Sequence, residues 1–471
     1  MKTPSFQRGV FCLLLVAACV VRAGAATVTP SSGPFAGGNP VLVTNAVPDL
    51  GDGSDITNAV LGGVSTTNIT GQGANWVRFV APAVGSTGAM DIVIRSASEG
   101  ETTLAGAYTV NPTGQVGWIE YAPTMWTNLG SGANNIVRAL AHDGTHLYAG
   151  GEFTTAGGVT VYRVAKWDPA TGTWTNLGSG MNNIVYALAH DGSRLYAGGS
   201  FTTADGATAN RIAMWDPASG TWTNLGSGMS STVYALAHDG TSLYAGGAFT
   251  TAGGVTVNQV AKWDPAGLTW TNLGSGMNDI VYALACDGTN LYAGGAFTTA
   301  GGSSANRIAR WNPASGTWGS LLSGTLNTVL ALTYDGTSLY VGGSFSSAGG
   351  INVNRVAKWN PASTTWSGLD KGVSNTVRAL AYDGMYLYAG GEFTNASGVV
   401  AHRVAKWNPA NGTWTNLGSG VNGIVRALAH DGTSLYAGGE FTTADGISAS
   451  RVARCEPAYT VEFPGVEPDS G

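Results

Sequence analysis

Charge is scarce in this chain. Asp, Glu, Lys and Arg make up 11% of its 471 residues, well under the usual quarter. The formal net charge is −6. Nucleic acid as a partner requires a clustered basic surface, so this balance argues against it. Cysteine is nearly absent. Cys12 and Cys19 fall in an N-terminal apolar segment, which leaves only Cys286 and Cys455. They occupy different positions in widely separated repeats, so a disulfide between them is not expected. Neither metal-type spacing nor a CxxC pair occurs. Helical periodicity is missing too: beyond residue 20 no window sustains an apolar period of 3.6. What is abundant is Gly, with 71 copies, and Trp, with 15, in a chain that is 44% hydrophobic. That composition suits many short strands and tight turns around a real core.

Residues 1–25 read as an export signal. Lys2 and Arg8 give a positive start, the apolar run 10–21 is too short to span a bilayer, and Ala23-Gly24-Ala25 is an A-x-A cleavage site. A rival reading takes Val16-Ala17-Ala18-Cys19 as a lipobox, which would place a lipid anchor on Cys19. Both imply a secreted or cell-surface protein. No other segment is expected to cross a membrane.

Internal repetition is the dominant signal. Trp126, Trp174, Trp222, Trp270, Trp318, Trp366 and Trp414 recur at a step of 48. A second series runs through Trp167, Trp215, Trp263, Trp311, Trp359 and Trp407, and its seventh member is Cys455. Each unit reads as four strands, here lettered a to d: in the first, Ile136–His142, Leu147–Phe153, Val161–Trp167 and Trp174–Leu177. Asp143-Gly144 supplies the a–b turn, and Asp168-Pro169 with Gly172 the c–d turn. A single such sheet exposes both faces, so units must cover one another. Strands a to c recur seven times after residue 135, whereas a d-type strand stands alone at Trp126–Leu129. That early strand should complete the last unit and close a circle.

The double Gly after strand b, with an aromatic and a Trp separated by six residues, resembles a kelch repeat. The phrase Gly-Gly-x-Phe-Thr-Thr-Ala-Gly-Gly, with Arg-Val-Ala-x-Trp after it, also resembles delta-60 repeats and a fungal cortical marker family for bud sites. The likeness covers residues 124–456 and implies an all-β fold, a seven-bladed β-propeller. The seventh unit departs from it at Cys455. Residues 26–112 resemble an IPT/TIG immunoglobulin-like β-sandwich through Thr29-Pro30, Gly37-Gly38, Gly62-Gly63-Val64 and the alternating Asp91-Ile92-Val93-Ile94-Arg95. Such domains act as spacers or protein-binding modules. Residues 113–123 would be a linker and 457–471 an acidic tail.

Comparison among the units singles out two positions. Early in strand a stand Arg138, Tyr186, Tyr234, Tyr282, Leu330, Arg378 and Arg426. Just after the double Gly stand Glu152, Ser200, Ala248, Ala296, Ser344, Glu392 and Glu440. Glu occurs in every Arg unit and in no other. In an antiparallel hairpin these positions are neighbours, so each Arg–Glu should pair within its sheet. On a circle the three pairs fall in one sector and the three Tyr opposite. The plain reading is structural charge pairing. The functional one is a ligand surface, where Tyr and Arg stack on sugars or grip carboxylates. His142, His190, His238 and His430 precede the Asp-Gly turns and read as exposed hairpin residues, not metal ligands.

Catalysis finds little support. The kelch resemblance raises galactose oxidase, but no Tyr–Cys link with two His can be assigned. Sialidases use three Arg with an Asp-box, yet the turn Asp216-Pro217-Ala218-Ser219-Gly220 lacks that spacing and each Arg already has a Glu. The expectation is therefore a monomeric, non-catalytic binding or adhesion protein with no metal and no cofactor, engaging an extracellular protein or glycan. The alternatives are a glycan-active enzyme and a structural surface-layer component.

Overall fold

The structure, a computed structural model, describes residues 125–456 continuously and, before them, nine strands between Thr27 and Asn111. The expected export signal, linker and tail lie outside the described residues. The chain divides into two units.

The N-terminal strands form one sheet of four and one of five. The first is antiparallel throughout. In the second, Ser32–Pro34 runs parallel to Gly100–Asn111, and the other pairings are antiparallel. Val77 and Phe79 of the first sheet and Ile56, Leu61, Ile92 and Ile94 of the second are buried. Along Gly88–Ser96 the buried Ile92 and Ile94 alternate with exposed Asp91 and Arg95, the two-residue period of a strand with one covered face.

Among its described residues the second unit, Ala122–Ala458, holds seven four-stranded antiparallel sheets. In the first sheet strand a is Val137–His142, b Leu147–Gly151, c Val164–Asp168 and d Thr173–Asn176. Strand b ends two residues earlier and strand c begins three residues later than the sequence pattern suggests. The reason is local: Tyr162 and Arg163 adopt φ of 38° and 72°, which breaks extended pairing. Between b and c lies a small hairpin, Thr155–Ala156 with Val159–Thr160, too short to leave a periodic signature.

Each innermost strand a lies against the a strands of both neighbouring sheets, and the last lies against the first. The early strand Met125–Asn128 pairs antiparallel with Val452–Glu456, Trp126 opposite Cys455, so a segment that begins the unit completes its final sheet. Tryptophan bolts sheet to sheet. The buried Trp174 Nε1 donates to the carbonyl of Leu129 at 2.9 Å, Trp222 to Leu177 at 2.9 Å, and so on around; Trp126 makes the same bond to Leu417, 291 residues away, at 2.9 Å. Six Trp–Trp contacts such as Trp167–Trp174 (5.4 Å between centroids) fill the outer strands. In the seventh sheet the buried Cys455 takes that place. Cys286 and Cys455 are free thiols.

The hairpin histidines differ from expectation. They are half-buried, and each stacks on the strand-b tyrosine of the preceding sheet: His190 on Tyr148 (5.9 Å), His238 on Tyr196 (6.2 Å), His430 on Tyr388 (5.8 Å) and His142 on Tyr436 (5.9 Å). The His430 side chain is only 5% exposed. Stacking needs the neighbouring sheet, which a single hairpin's sequence does not reveal. Burial lowers the pKa of His142 and His190. The turn aspartates do more than form turns. Asp191 Oδ1 accepts from the backbone N–H groups of Ser193 and Arg194, and Oδ2 accepts from the Tyr196 hydroxyl at 2.8 Å. Burial pushes the Asp191 carboxyl up, but these donors outweigh it and the net shift is downward. Tyr196 is pushed up to about 12 by burial and by its bond to Asp191.

Candidate functional site

The site grows from one irregularity repeated seven times. Within strand a, pairing with strand b shifts by one residue: Val137 pairs with Gly151 and Ala139 with Gly150, so Arg138 is the extra residue of a β-bulge. The same shift occurs in the other six sheets. A bulge bends its strand and re-aims a side chain. Here it requires the double Gly. A Cβ on Gly151 would lie 2.1 Å from the Ile136 carbonyl oxygen, and one on Gly150 would lie 2.6 Å from Val185 of the next sheet. The first glycine admits the neighbouring sheet; the second admits the bulge.

Because strands a are innermost, the seven bulge residues converge. Arg138, Tyr186, Tyr234, Tyr282, Leu330, Arg378 and Arg426 together line one cavity of about 110 Å³. Their order around the ring divides it. Arg378, Arg426 and Arg138 occupy three successive sheets, Tyr186, Tyr234 and Tyr282 the next three, and Leu330 stands between the two arcs.

Each arginine is paired within its own sheet. Nε of Arg138, Arg378 and Arg426 donates to Oε1 of Glu152, Glu392 and Glu440 at 2.6 Å, and Nη2 reaches the same oxygen. The six side chains are 20–31% exposed, so solvent still screens them and their stabilising value stays near that of surface pairs. The corresponding Ser200, Ala248, Ala296 and Ser344 belong to the sheets without arginine. On the aromatic arc, Tyr186 meets Tyr234 at 5.1 Å edge-on, and Tyr234 meets Tyr282 at 5.4 Å, tilted. The Arg138 guanidinium lies 5.1 Å from the Tyr186 ring centroid, in cation–π range, and joins the two arcs. Burial raises the pKa of Tyr186, against the pull of Arg138, and that of Tyr282.

Two features escaped the sequence reading. The first is a second set of arginines at the start of strand c. Nη1 of Arg163 donates to the carbonyl of Glu152 at 3.0 Å, that of Arg403 to Glu392 at 2.6 Å, and that of Arg451 to Glu440. They brace the backbone that carries the three ring glutamates. The second lies in the loop leading into Leu330. In the other six sheets a polar side chain caps this loop: Asn134 Oδ1, for example, accepts from Thr154 and Thr155 N–H at 2.9 and 3.1 Å, and Ser230 Oγ serves likewise. Leu326 stands there in the fifth sheet and is 72% exposed. Leu322, 56% exposed, adopts φ +53° where the first four sheets place glycine. Aligning the seven loops residue by residue would have exposed both substitutions.

The hairpin histidines are a sheet apart from one another. Among the described residues no three His, Cys, Asp or Glu side chains are grouped to hold a metal ion, and no helix is long and apolar enough to cross a membrane.

No curated protein matches the chain. A family described as a domain of unknown function (DUF5122) beta-propeller matches residues 290–317, the stretch holding strands b and c of the fourth sheet and the hairpin between them. Among solved structures, the chain is similar to the extracellular domain of BT4673 from B. thetaiotaomicron, described as a one-component system, at 15% identity over 71% of this chain and 40% of that one, TM-score 0.48. It is similar also to the computationally designed Ika8 protein, at 17% identity over 69% and 97%, TM-score 0.45. A third likeness is to a chain of the mitotic checkpoint complex, at 15% identity over 74% and 98%, TM-score 0.51. The chain spans 40% of the length of the first of these. At such identities likeness speaks to fold alone. The repeated antiparallel sheets and the family match together make the second unit a β-propeller.

Proposed function

We propose that this chain is a secreted or cell-surface binding protein without catalytic activity, whose seven-bladed, kelch-like propeller engages an extracellular glycan or protein at the mouth of its central ring. Residues 26–112, read as an IPT/TIG immunoglobulin-like module, would serve as a spacer or a second binding module. The observation that carries the reading is the convergence of the seven bulge residues on one cavity, sorted into an Arg–Glu arc and a tyrosine arc. Structural need alone does not account for the sorting, because the same bulge accommodates Arg, Tyr and Leu alike. Concave sites with a few convergent polar groups and aromatic walls are the usual form of a ligand pocket. The carboxylates at the ring are engaged in ion pairs, an arrangement that favours holding a ligand over transferring protons to it.

The test is a glycan and protein-partner array with the purified protein, followed by titration of each hit against Arg378→Ala and Tyr234→Ala. The expected outcome is a hit whose affinity falls with both substitutions while thermal stability is retained. Wild-type affinity in both variants would refute the ring as the site. Turnover of a sugar substrate that is lost on the same substitutions would replace the binding reading by an enzymatic one.

A further inference from the structure

The ring's charges cancel where they stand, and this constrains what it can hold. Each ring arginine donates through Nε and Nη2 to a single oxygen of its own glutamate. Among the described residues, Nη1 of Arg138, Arg378 and Arg426 and Oε2 of the three glutamates meet no partner. The arc therefore offers a donor beside an acceptor, three times over in adjacent sheets, with the charge of each cavity-lining arginine matched by its own glutamate. Across the ring, the charge that acts on Tyr282 is the negative one of Asp279.

We infer that the ligand is an uncharged sugar ring, an inference that rests on the ring being the binding site. Hydroxyl groups donate and accept at once. A pair of vicinal hydroxyls can take a hydrogen bond from the free guanidinium nitrogen and give one to the free carboxylate oxygen, without separating the ion pair. The three tyrosines, packed edge-on and tilted at 5.1 and 5.4 Å, present an aromatic wall against which the C–H face of a pyranose packs. A carboxylate or sulfate ester meets the opposite situation. It must approach Glu152, Glu392 and Glu440, and the free nitrogen it would take belongs in each case to an arginine whose charge is already matched by its own glutamate. Like-charge approach in a partly desolvated cleft is a strong means of rejection.

The experiment is calorimetric titration of the full chain with neutral oligosaccharides ending in different hexoses or pentoses, each beside a counterpart whose terminal sugar is a uronic acid. Each pair is measured at about 50 and about 500 mM NaCl, which shortens the screening length severalfold. The expected result is binding of at least one neutral sugar and binding weaker by about tenfold or more for its acid counterpart. Salt should shift the neutral affinity little. Glu392→Gln, which removes a repelling carboxylate, should narrow the preference. An acid counterpart that binds as tightly as the neutral sugar, with affinity falling steeply as salt rises, overturns this inference and leaves the ring as the site. Sugar binding that survives both Arg378→Ala and Tyr234→Ala overturns the ring reading itself.

Discussion

Replacing Trp126 by phenylalanine probes the closure of the ring at a single atom. Trp126 is buried, and its Nε1 donates at 2.9 Å to the carbonyl of Leu417, itself 1% exposed, across 291 residues of chain. Phenylalanine keeps the aromatic packing but leaves that carbonyl without its donor, a loss of about 1–3 kcal/mol for a buried polar group. The smaller ring forfeits about 1 kcal/mol of apolar burial besides. Trp270 offers the control. Its Nε1 makes the same bond to Leu225 at 2.9 Å in the interior of the repeat, where no chain end is involved. If the circle is closed by the early strand, Trp126→Phe and Trp270→Phe should cost alike. At about 2 °C for each kcal/mol in a domain of this size, each should lower the midpoint of thermal unfolding by roughly 4–8 °C. The assay is differential scanning calorimetry of the three proteins side by side. A Trp126→Phe protein that melts with the wild type, while Trp270→Phe melts early, would mean that the strand Met125–Asn128 does not latch the last sheet.

Other consequences follow from the same contacts. Leu326→Asn restores the loop cap present in the other six sheets, giving Ser346 and Ser347 N–H an acceptor, and should stabilise the chain by about 0.5–1.5 kcal/mol; a lower denaturation midpoint would contradict the capping role. Gly246→Ala places a Cβ 2.6 Å from Val281 of the next sheet and should destabilise by about 1–3 kcal/mol through overpacking, read as a shift in the urea midpoint. Acid should weaken the fold in two steps. The folded-state pKa values of His142, His190 and Asp191 lie below their ordinary values, so their stabilising contributions are present at neutral pH. They fade as pH falls, the histidines below about 6.5 and the aspartate below about 4. Tyr196, raised to about 12, adds a loss on the alkaline side that begins above about 10. Urea midpoints measured from pH 3 to 11 should trace this dome, and stability rising from pH 7 to 5 would contradict it.

Much of this was legible in the sequence because the chain repeats itself. A step of 48 between tryptophans locates every sheet, and the lone d-type strand at Trp126 announces how the last one is completed. The covariation of Arg138, Arg378 and Arg426 with Glu152, Glu392 and Glu440 was readable because positions facing each other in a hairpin are close whatever the rest of the fold does. What could not be read depended on register and on neighbours. A one-residue bulge leaves no mark in the pattern of apolar residues, so the double Gly was visible while its purpose was not. The histidines looked exposed because the tyrosine that covers each belongs to another sheet. Arg163 and its equivalents looked like ordinary strand residues until their left-handed backbone turned them onto the carbonyls after strand b. Leu326 is informative only beside the hydrogen bonds that Asn134 and its equivalents make.

The most direct measurement is a nitration footprint of the tyrosines, quantified by mass spectrometry with and without the ligand found on the array. Tyr186, Tyr234 and Tyr282 should lose reactivity together when the ligand is present, while Tyr162, 48% exposed outside the ring, keeps its own. Full reactivity of all three in the saturated protein would place the ligand elsewhere on the molecule.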